Sequence, residues 1–272
     1  MKQDNKVEAR KEFERKAFNK GASDFLLNTD SRKWDYGARS GYGSEFNDLF
    51  LNAPYAYIEE KILNDLKGKR ILDYCCGTGN FSIYPAINGA FVDGIDISNL
   101  SIEVAKAKAE HWNVYDRTNF RVMDAENLLF DDNTFDMVLS YGSLSYLDLA
   151  KALHEFCRVI KPTGTVVIVD TLGHNPIMNY NRRKYVKKGV RQQYHLDHIM
   201  TKKSIKLAGQ YFDKIHTRYF DLFTLFGMPF NKTSLGRFVI PILKSIDTIF
   251  LRIPLFNLLA FKFVSVLSSP KK

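Results

Sequence analysis

Ile71-Leu72-Asp73-Tyr74-Cys75-Cys76-Gly77-Thr78-Gly79 reads as a short apolar strand that ends in an aspartate and turns through two glycines into a helix. Such a turn holds a nucleotide-type ligand. Glycines remove Cβ atoms where a ligand approaches the backbone, and the helix start offers free N–H groups. The aspartate selects among ligands, because a dinucleotide would lay its pyrophosphate on this turn and a carboxylate four residues ahead of Gly77 would repel it. The dinucleotide fingerprint also wants a third Gly or Ala, where this chain has Ser82. A ligand with a cationic amino-acid tail suits an acidic strand end. S-adenosylmethionine, with an ammonium and a sulfonium, is therefore the expected cofactor.

The residues downstream repeat the pattern. Phe91-Val92-Asp93-Gly94-Ile95-Asp96-Ile97 predicts a second strand, with Ser98 as N-cap of a helix over Asn99–Glu110 and Asp96 placed to accept ribose hydroxyls. A third strand, Phe120–Met123, leads to Asp124-Ala125-Glu126, where a carboxylate and a backbone N–H can read adenine. A fourth spans Phe135–Ser140. Ligands of open α/β sheets bind beyond the carboxyl ends of the strands, so the three acidic ends face one crevice.

These residues resemble the class I, seven-stranded S-adenosylmethionine-dependent methyltransferases over roughly Arg70 to Asp170. The family's Asp-x-Gly-Cys-Gly-x-Gly pattern falls on Asp73 to Gly79, its ribose acid on Asp96 and its adenine-side acid on Asp124. The resemblance implies an α/β fold with a doubly wound, mostly parallel, Rossmann-like seven-stranded sheet. It also implies a cofactor site made by Asp73, Cys75, Gly77, Gly79, Asp96, Ile97, Asp124, Ala125 and Ser140. Cys75 departs from the pattern by replacing the first glycine, so a positive φ there would carry strain.

Composition bounds the rest. At 272 residues and 45% hydrophobic content the chain can build a full core. Its three cysteines, Cys75, Cys76 and Cys157, have neither disulfide-framework nor zinc spacing, and Met1–Lys20 lacks the apolar stretch of a signal peptide. The expectation is a cytoplasmic protein without a metal. Charge is uneven: from Thr171 onward 18 Lys and Arg face 4 Asp and Glu, a balance of +14 within a total of +9. Such a basic third suits an anionic substrate, an anionic membrane surface or nucleic acid, or is simply a solvated face.

Three units are expected: an N-terminal helical and lid segment over 1–66, a cofactor-binding core over 67–170, and a basic substrate-side segment over 171–272. The first contains a charged helix over Val7–Lys20 and the aromatics Trp34, Tyr36, Tyr42 and Phe46, candidates for a lid or for ordinary packing. A helix over Leu149–Ile160 and a fifth strand over Thr165–Asp170 complete the core. Strands over Lys214–Phe220 and Leu258–Leu267 would close the sheet around an insertion at 221–257. Arg237, Lys244 and Arg252 leave the insertion no run of about 18 uncharged residues, which argues against a membrane span. Its apolar runs suit peripheral contact with a membrane, cover for a lipophilic acceptor, a dimer surface, or packing on the sheet.

Methyl transfer from a sulfonium is an in-line displacement that needs alignment, and a base when the acceptor is a hydroxyl. Among the histidines, His111, His154 and His216 fall within or after predicted elements. His174 follows the fifth strand in Leu172-Gly173-His174-Asn175-Pro176, and His195, Asp197 and His198 follow on the same basic segment. This stretch resembles a bacterial branch of small-molecule methyltransferases with a Leu-Gly-His-Asn-Pro run and a later acidic-His pair, which implies catalytic roles for His174, Asp197 and His198. That branch often has paired histidines after the fourth strand, where this chain has Ser145-Tyr146. The expected partner is a small molecule, lipophilic or anionic, with oxygen favoured as methyl acceptor. An RNA methyltransferase and a non-catalytic binding protein that keeps the fold are the alternatives.

Overall fold

The computed structural model describes residues 2–28, 52–189, 191–231 and 233–272. Seven strands, β1 (Arg70–Tyr74), β2 (Phe91–Asp96), β3 (Thr118–Val122), β4 (Phe135–Tyr141), β5 (Ile160–Thr171), β6 (Phe212–Phe220) and β7 (Lys262–Pro270), form one sheet in the order β3-β2-β1-β4-β5-β7-β6. β7 runs antiparallel to both neighbours, and the other pairs are parallel. The order reverses at the β1–β4 junction, the switch point beyond which such sheets bind ligands.

Apolar residues on both sides of each central strand explain why the sheet is buried. Leu72 and Tyr74 pack into one core with Phe135, Phe156 and Phe263, and Ile71 packs into the opposite core with Ile83, Leu139 and Val167. Helices α3 (Asn80–Ile87), α4 (Asn99–His111) and α5 (Leu149–Val159) join the parallel strands. Their caps follow the sequence: the Ser98 hydroxyl accepts the Ser101 N–H, and the Asp148 carboxylate accepts those of Ala150 and Lys151. On α5 the expected face of Ala152, Leu153, Phe156 and Val159 is buried, whereas Ile160, expected on the same face, leaves the helix and opens β5.

The largest shifts in strand starts are at β5 and β7. β5 begins at Ile160 rather than Thr165, because Ile160 pairs with Phe135 before an irregularity over Lys161–Gly164 returns the register at Met137 and Thr165. β7 begins at Lys262 rather than Leu258, because the chain first makes a short helix at Pro254–Asn257.

α1 (Lys2–Asn28) is longer than the expected Val7–Lys20 and packs on α4, where the Asn19 side chain accepts the Ser98 hydroxyl. The lid aromatics Trp34, Tyr36, Tyr42 and Phe46 lie outside the described residues. α2 (Ala53–Lys61) then leads to β1, and α6 (Pro176–Lys187), α7 (Gln193–Asp197) and α8 (Lys202–Leu207) fill the segment between β5 and β6. The insertion before β7 holds α9 (Gly236–Phe250) and α10 (Pro254–Asn257). No described helix is long and apolar enough to cross a membrane.

Candidate active site

A cavity of about 330 Å³ opens beyond the carboxyl ends of β1, β2, β4 and β5. Asp73, Cys75, Gly77, Asp96, Ile97, Asp124 and Ala125 all line it. Gly77 has φ +51, and a Cβ built there meets no atom within 4 Å, so this glycine leaves the open face that a ligand can approach. Gly79 has a different duty. Its φ is +74 and a Cβ there would lie 2.9 Å from the Ala105 Cβ, so it permits the turn to pack on α4. Ser140 does not line the cavity; its hydroxyl lies 3.0 Å from that of Ser143, which does. Cys75 holds φ +57, a conformation that a side chain adopts at a cost of about 1–2 kcal/mol.

The acids form a graded electrostatic wall. Asp73 is buried and accepts the Ser82 hydroxyl at 2.5 Å. Burial pushes its carboxyl up to about 7, against the Ser82 hydrogen bond and with help from the nearby Asp96 charge. The residue that breaks the dinucleotide fingerprint therefore serves the acid that excludes dinucleotides. Asp96 accepts the Gly77 N–H and the Ser98 N–H, each at 2.9 Å, and burial raises its carboxyl while these donors oppose the rise. Asp124 accepts the Glu126 N–H at 2.9 Å, and the Tyr74 hydroxyl donates to the Ala125 carbonyl at 2.7 Å, which fixes the loop after β3.

α1 roofs this end. The Arg10 guanidinium donates to Glu126 at 2.5 Å and to the Tyr194 hydroxyl at 2.7 Å, and Lys11 donates to Asp124 at 2.6 Å. Glu14 and Phe18 line the cavity one and two turns further on. Burial raises the Glu14 carboxyl to about 7, against the attraction of Arg10. Charges at Arg10 and Glu14, four apart on a polar helix, were the available signal for this contact.

Tyr55, Tyr141, Asp170, Arg191 and Lys262 also line the cavity. Phe81 and Tyr141 stack at 3.9 Å, Tyr55 stacks on Phe81 at 5.3 Å, and Lys262 lies 4.7 Å from the Tyr55 ring centre. Asp170 sits at the carboxyl end of β5, 4% exposed. Its Oδ1 accepts the Thr171 N–H at 2.6 Å, whereas its Oδ2 is buried without a hydrogen-bond partner. Burial pushes this carboxyl up to about 6, against the N–H groups of Thr171 and Leu144. The rule that selects Asp73, Asp96 and Asp124 as strand-end acids also selects Asp170.

The three residues expected to act in catalysis do not meet. His174 Nε2 accepts the Lys202 N–H at 3.1 Å, and its side chain lines no part of the cavity. Asp197 and His198 are exposed; Asp197 accepts the Gln193 side chain, and His198 Nδ1 lies 2.8 Å from the Tyr194 carbonyl. Asp197 therefore orients neither imidazole. His195 touches the cavity wall, buried and stacked on Tyr146, with Nε2 accepting from Arg191 at 2.9 Å and Nδ1 2.9 Å from the Ser145 hydroxyl. An acceptor Nε2 leaves the proton on Nδ1, so a neutral His195 holds the Arg191 guanidinium at the cavity wall.

Burial, with the Arg191 and Arg182 charges, pushes the His195 imidazole down to about 3. Its ordinary value in the unfolded chain is near 6.5, so the unfolded state takes a proton that the folded state refuses as pH falls between those values. Its contribution to stability is complete above about pH 6.5 and lost progressively below it. His195→Gln is expected to show a smaller drop in Tm than the wild type between about pH 7.5 and pH 5 in thermal unfolding. Equal drops would show that the imidazole titrates freely.

Comparison with known proteins agrees with this geometry. Residues 71–164 match the family described as "Methyltransferase domain". The demethylmenaquinone methyltransferase of Staphylococcus haemolyticus (strain JCSC1435) is 38% identical over 112 residues, covering 38% of this chain and 44% of that protein. That of Clavibacter sepedonicus is 39% identical over 104 residues, 38% of this chain and 41% of its own length. The matches thus span about half the length of these curated relatives or less. Among solved structures, the PH0226 protein of Pyrococcus horikoshii OT3 superposes with a TM-score of 0.53 at 20% identity, covering 83% of this chain and 95% of that chain. Geranyl diphosphate C-methyltransferase from Streptomyces coelicolor A3(2) gives 0.54 at 17% identity, covering 86% and 83%. At these identities the structures show a shared fold.

Proposed function

We propose, from the premise that residues 71–164 form a methyltransferase domain, that this chain transfers the methyl group of S-adenosylmethionine to a hydroxyl of a small-molecule acceptor. The observation that carries the reading is the pair of buried acids, Asp73 and Asp96, beside the open Cβ position of Gly77. Two carboxylates in one buried wall oppose each other's ionisation until a cationic ligand arrives. In this reading Asp73 holds the ammonium, Asp96 the ribose hydroxyls, and Asp124 with Ala125 the adenine edge. When bound, the cofactor supplies a methyl group already activated by its sulfonium charge.

The chain's own contribution is alignment, exclusion of water and removal of one proton. The aromatic wall of Tyr55, Phe81 and Tyr141 excludes water from the acceptor end and suits a ring-bearing or lipophilic acceptor. Arg191 and Lys262 add positive charge for an anionic oxygen. Asp170 supports an oxygen acceptor, because a buried carboxylate with one oxygen, Oδ2, free of any donor can take the hydroxyl proton.

Calorimetric titration with S-adenosylmethionine and S-adenosylhomocysteine tests the reading. With the Asp73 carboxyl at about 7 in the free protein, ammonium binding must displace its proton below that pH. Affinity is expected to be about tenfold weaker near pH 6 than near pH 8, with proton release to buffer at the lower pH. Failure of both ligands to bind would defeat the proposal.

A further inference from the structure

We propose that the insertion before β7 docks this protein on an anionic lipid bilayer. α9 is apolar on two sides, which a helix packed on one side does not require. Inward, Ile240 is buried against Leu225 and Phe261, and the buried Asp247 carboxylate accepts the N–H groups of Leu222, Phe223 and Thr224, which anchors the helix to the chain leaving β6. Outward, Phe238, Ile242 and Ile249 follow one helical stripe, with Phe238 72% exposed, and Leu255 of α10 continues it at 70%.

Charge identifies the occupant. Over 221–257 the only acids are Asp221 and Asp247, both buried, while Arg237 and Arg252 are exposed beside the apolar stripe. Lys202 reaches the Pro254 carbonyl at 3.4 Å and adds a cation at the edge. Among the described residues, the insertion thus presents bulky apolar side chains flanked by positive charge and no exposed negative charge. An interfacial helix needs that combination: its apolar face enters the acyl boundary while its cations meet anionic headgroups. A second copy of the same face would set Arg against Arg.

The inward side of α9, opposite the stripe, reaches toward the cavity. Lys244 of α9 donates to the Asn52 side chain at 2.5 Å, immediately before α2, whose Tyr55 lines the acceptor end. If the proposed methyl transfer holds, this contact sets the acceptor end behind α9, one helix away from the bilayer, a consequence that rests on that reading while the docking itself does not.

Co-sedimentation of the full chain with vesicles tests the docking without cofactor or acceptor. Partition is expected to be about tenfold stronger into phosphatidylcholine vesicles containing phosphatidylglycerol than into phosphatidylcholine alone, and to weaken with salt. Arg237→Glu with Arg252→Glu should abolish the preference, and Phe238→Ser with Ile242→Ser should abolish partition, both with the wild-type Tm. No partition, or equal partition into both vesicles, would overturn the proposal. So would a wild-type dimer in sedimentation that the Phe238→Ser, Ile242→Ser variant turns into a monomer. Cofactor titration of the same variants separates the two readings, since docking can be lost while S-adenosylmethionine binding is unchanged.

Discussion

Asp96→Ala is expected to weaken S-adenosylmethionine binding by about 1–3 kcal/mol, roughly fivefold to 150-fold in Kd, through loss of a charged hydrogen-bond acceptor. Two losses combine. The ribose hydroxyls lose their proposed acceptor, and the Gly77 N–H loses the carboxylate oxygen 2.9 Å away that holds the glycine turn in place. A partial compensation acts in the other direction: Asp73 is relieved of a neighbouring negative charge and ionises more readily. Asp96→Asn, which keeps the shape and one carbonyl acceptor, should fall between wild type and Ala. Titration calorimetry reads all three, and affinity unchanged by Asp96→Ala would place the cofactor elsewhere.

Asp170→Asn is expected to lower kcat by about 10²–10⁴, the usual worth of a positioned general base, with S-adenosylmethionine affinity unchanged. The pH profile supplies a second signature. A carboxyl at about 6 is protonated and unable to accept below that pH, so the wild-type rate should rise as pH increases through it, and the variant should lack this limb. The same residue acts on stability in the opposite sense. Its folded value lies above the unfolded 3.8, so its contribution is present below about pH 4 and lost as pH rises through 6. Above that pH the Asn variant should unfold at no lower temperature than wild type, which distinguishes a catalytic loss from a folding defect. His174→Ala is the companion measurement. With its Nε2 occupied by the Lys202 N–H and its side chain away from the cavity, it should leave the pH limb in place. Loss of that limb in the His174 variant instead would return the proton to the histidine.

The order of acidic strand ends was readable because each is a local feature. A strand that buries both faces must be apolar throughout, so an aspartate at its end stands out against Ile71-Leu72 or Val92 and Ile95. Seven of the nine expected cofactor residues line the cavity for that reason. Gly79 and Ser140 do not, because glycine's freedom serves helix packing as well as ligand approach, and a strand-end serine can point beneath the loop. Cys75 shows the same limit: its left-handed φ appears in the structure, although a cysteine in the sequence does not announce one.

The proposed acceptor end was readable only at Asp170, which the strand-end rule marks; nothing local marks the rest of its wall. His174 satisfies a sequence rule for a base, yet the chain after β5 turns it toward the start of α8, and Asp170, four residues earlier, occupies the cavity wall. Lys262 reaches the same wall from the far end of the chain only because β7 inserts between β5 and β6. α1 roofs the site with a stripe of Arg10, Glu14 and Phe18 whose polarity hides its inward face from any hydrophobic pattern.

By itself, then, the sequence determined the α/β class, the glycine turn and the acidic strand ends, since backbone freedom, strand burial and helix capping act over a few neighbouring residues. Only the tertiary structure decided which oxygen of Asp170 is left without a donor, which histidine is held neutral and which side of α9 stays uncovered. Burial, hydrogen-bond pairing and exposure depend on residues distant in sequence, as Tyr55 and Lys262 are, 207 residues from each other and both on the same wall.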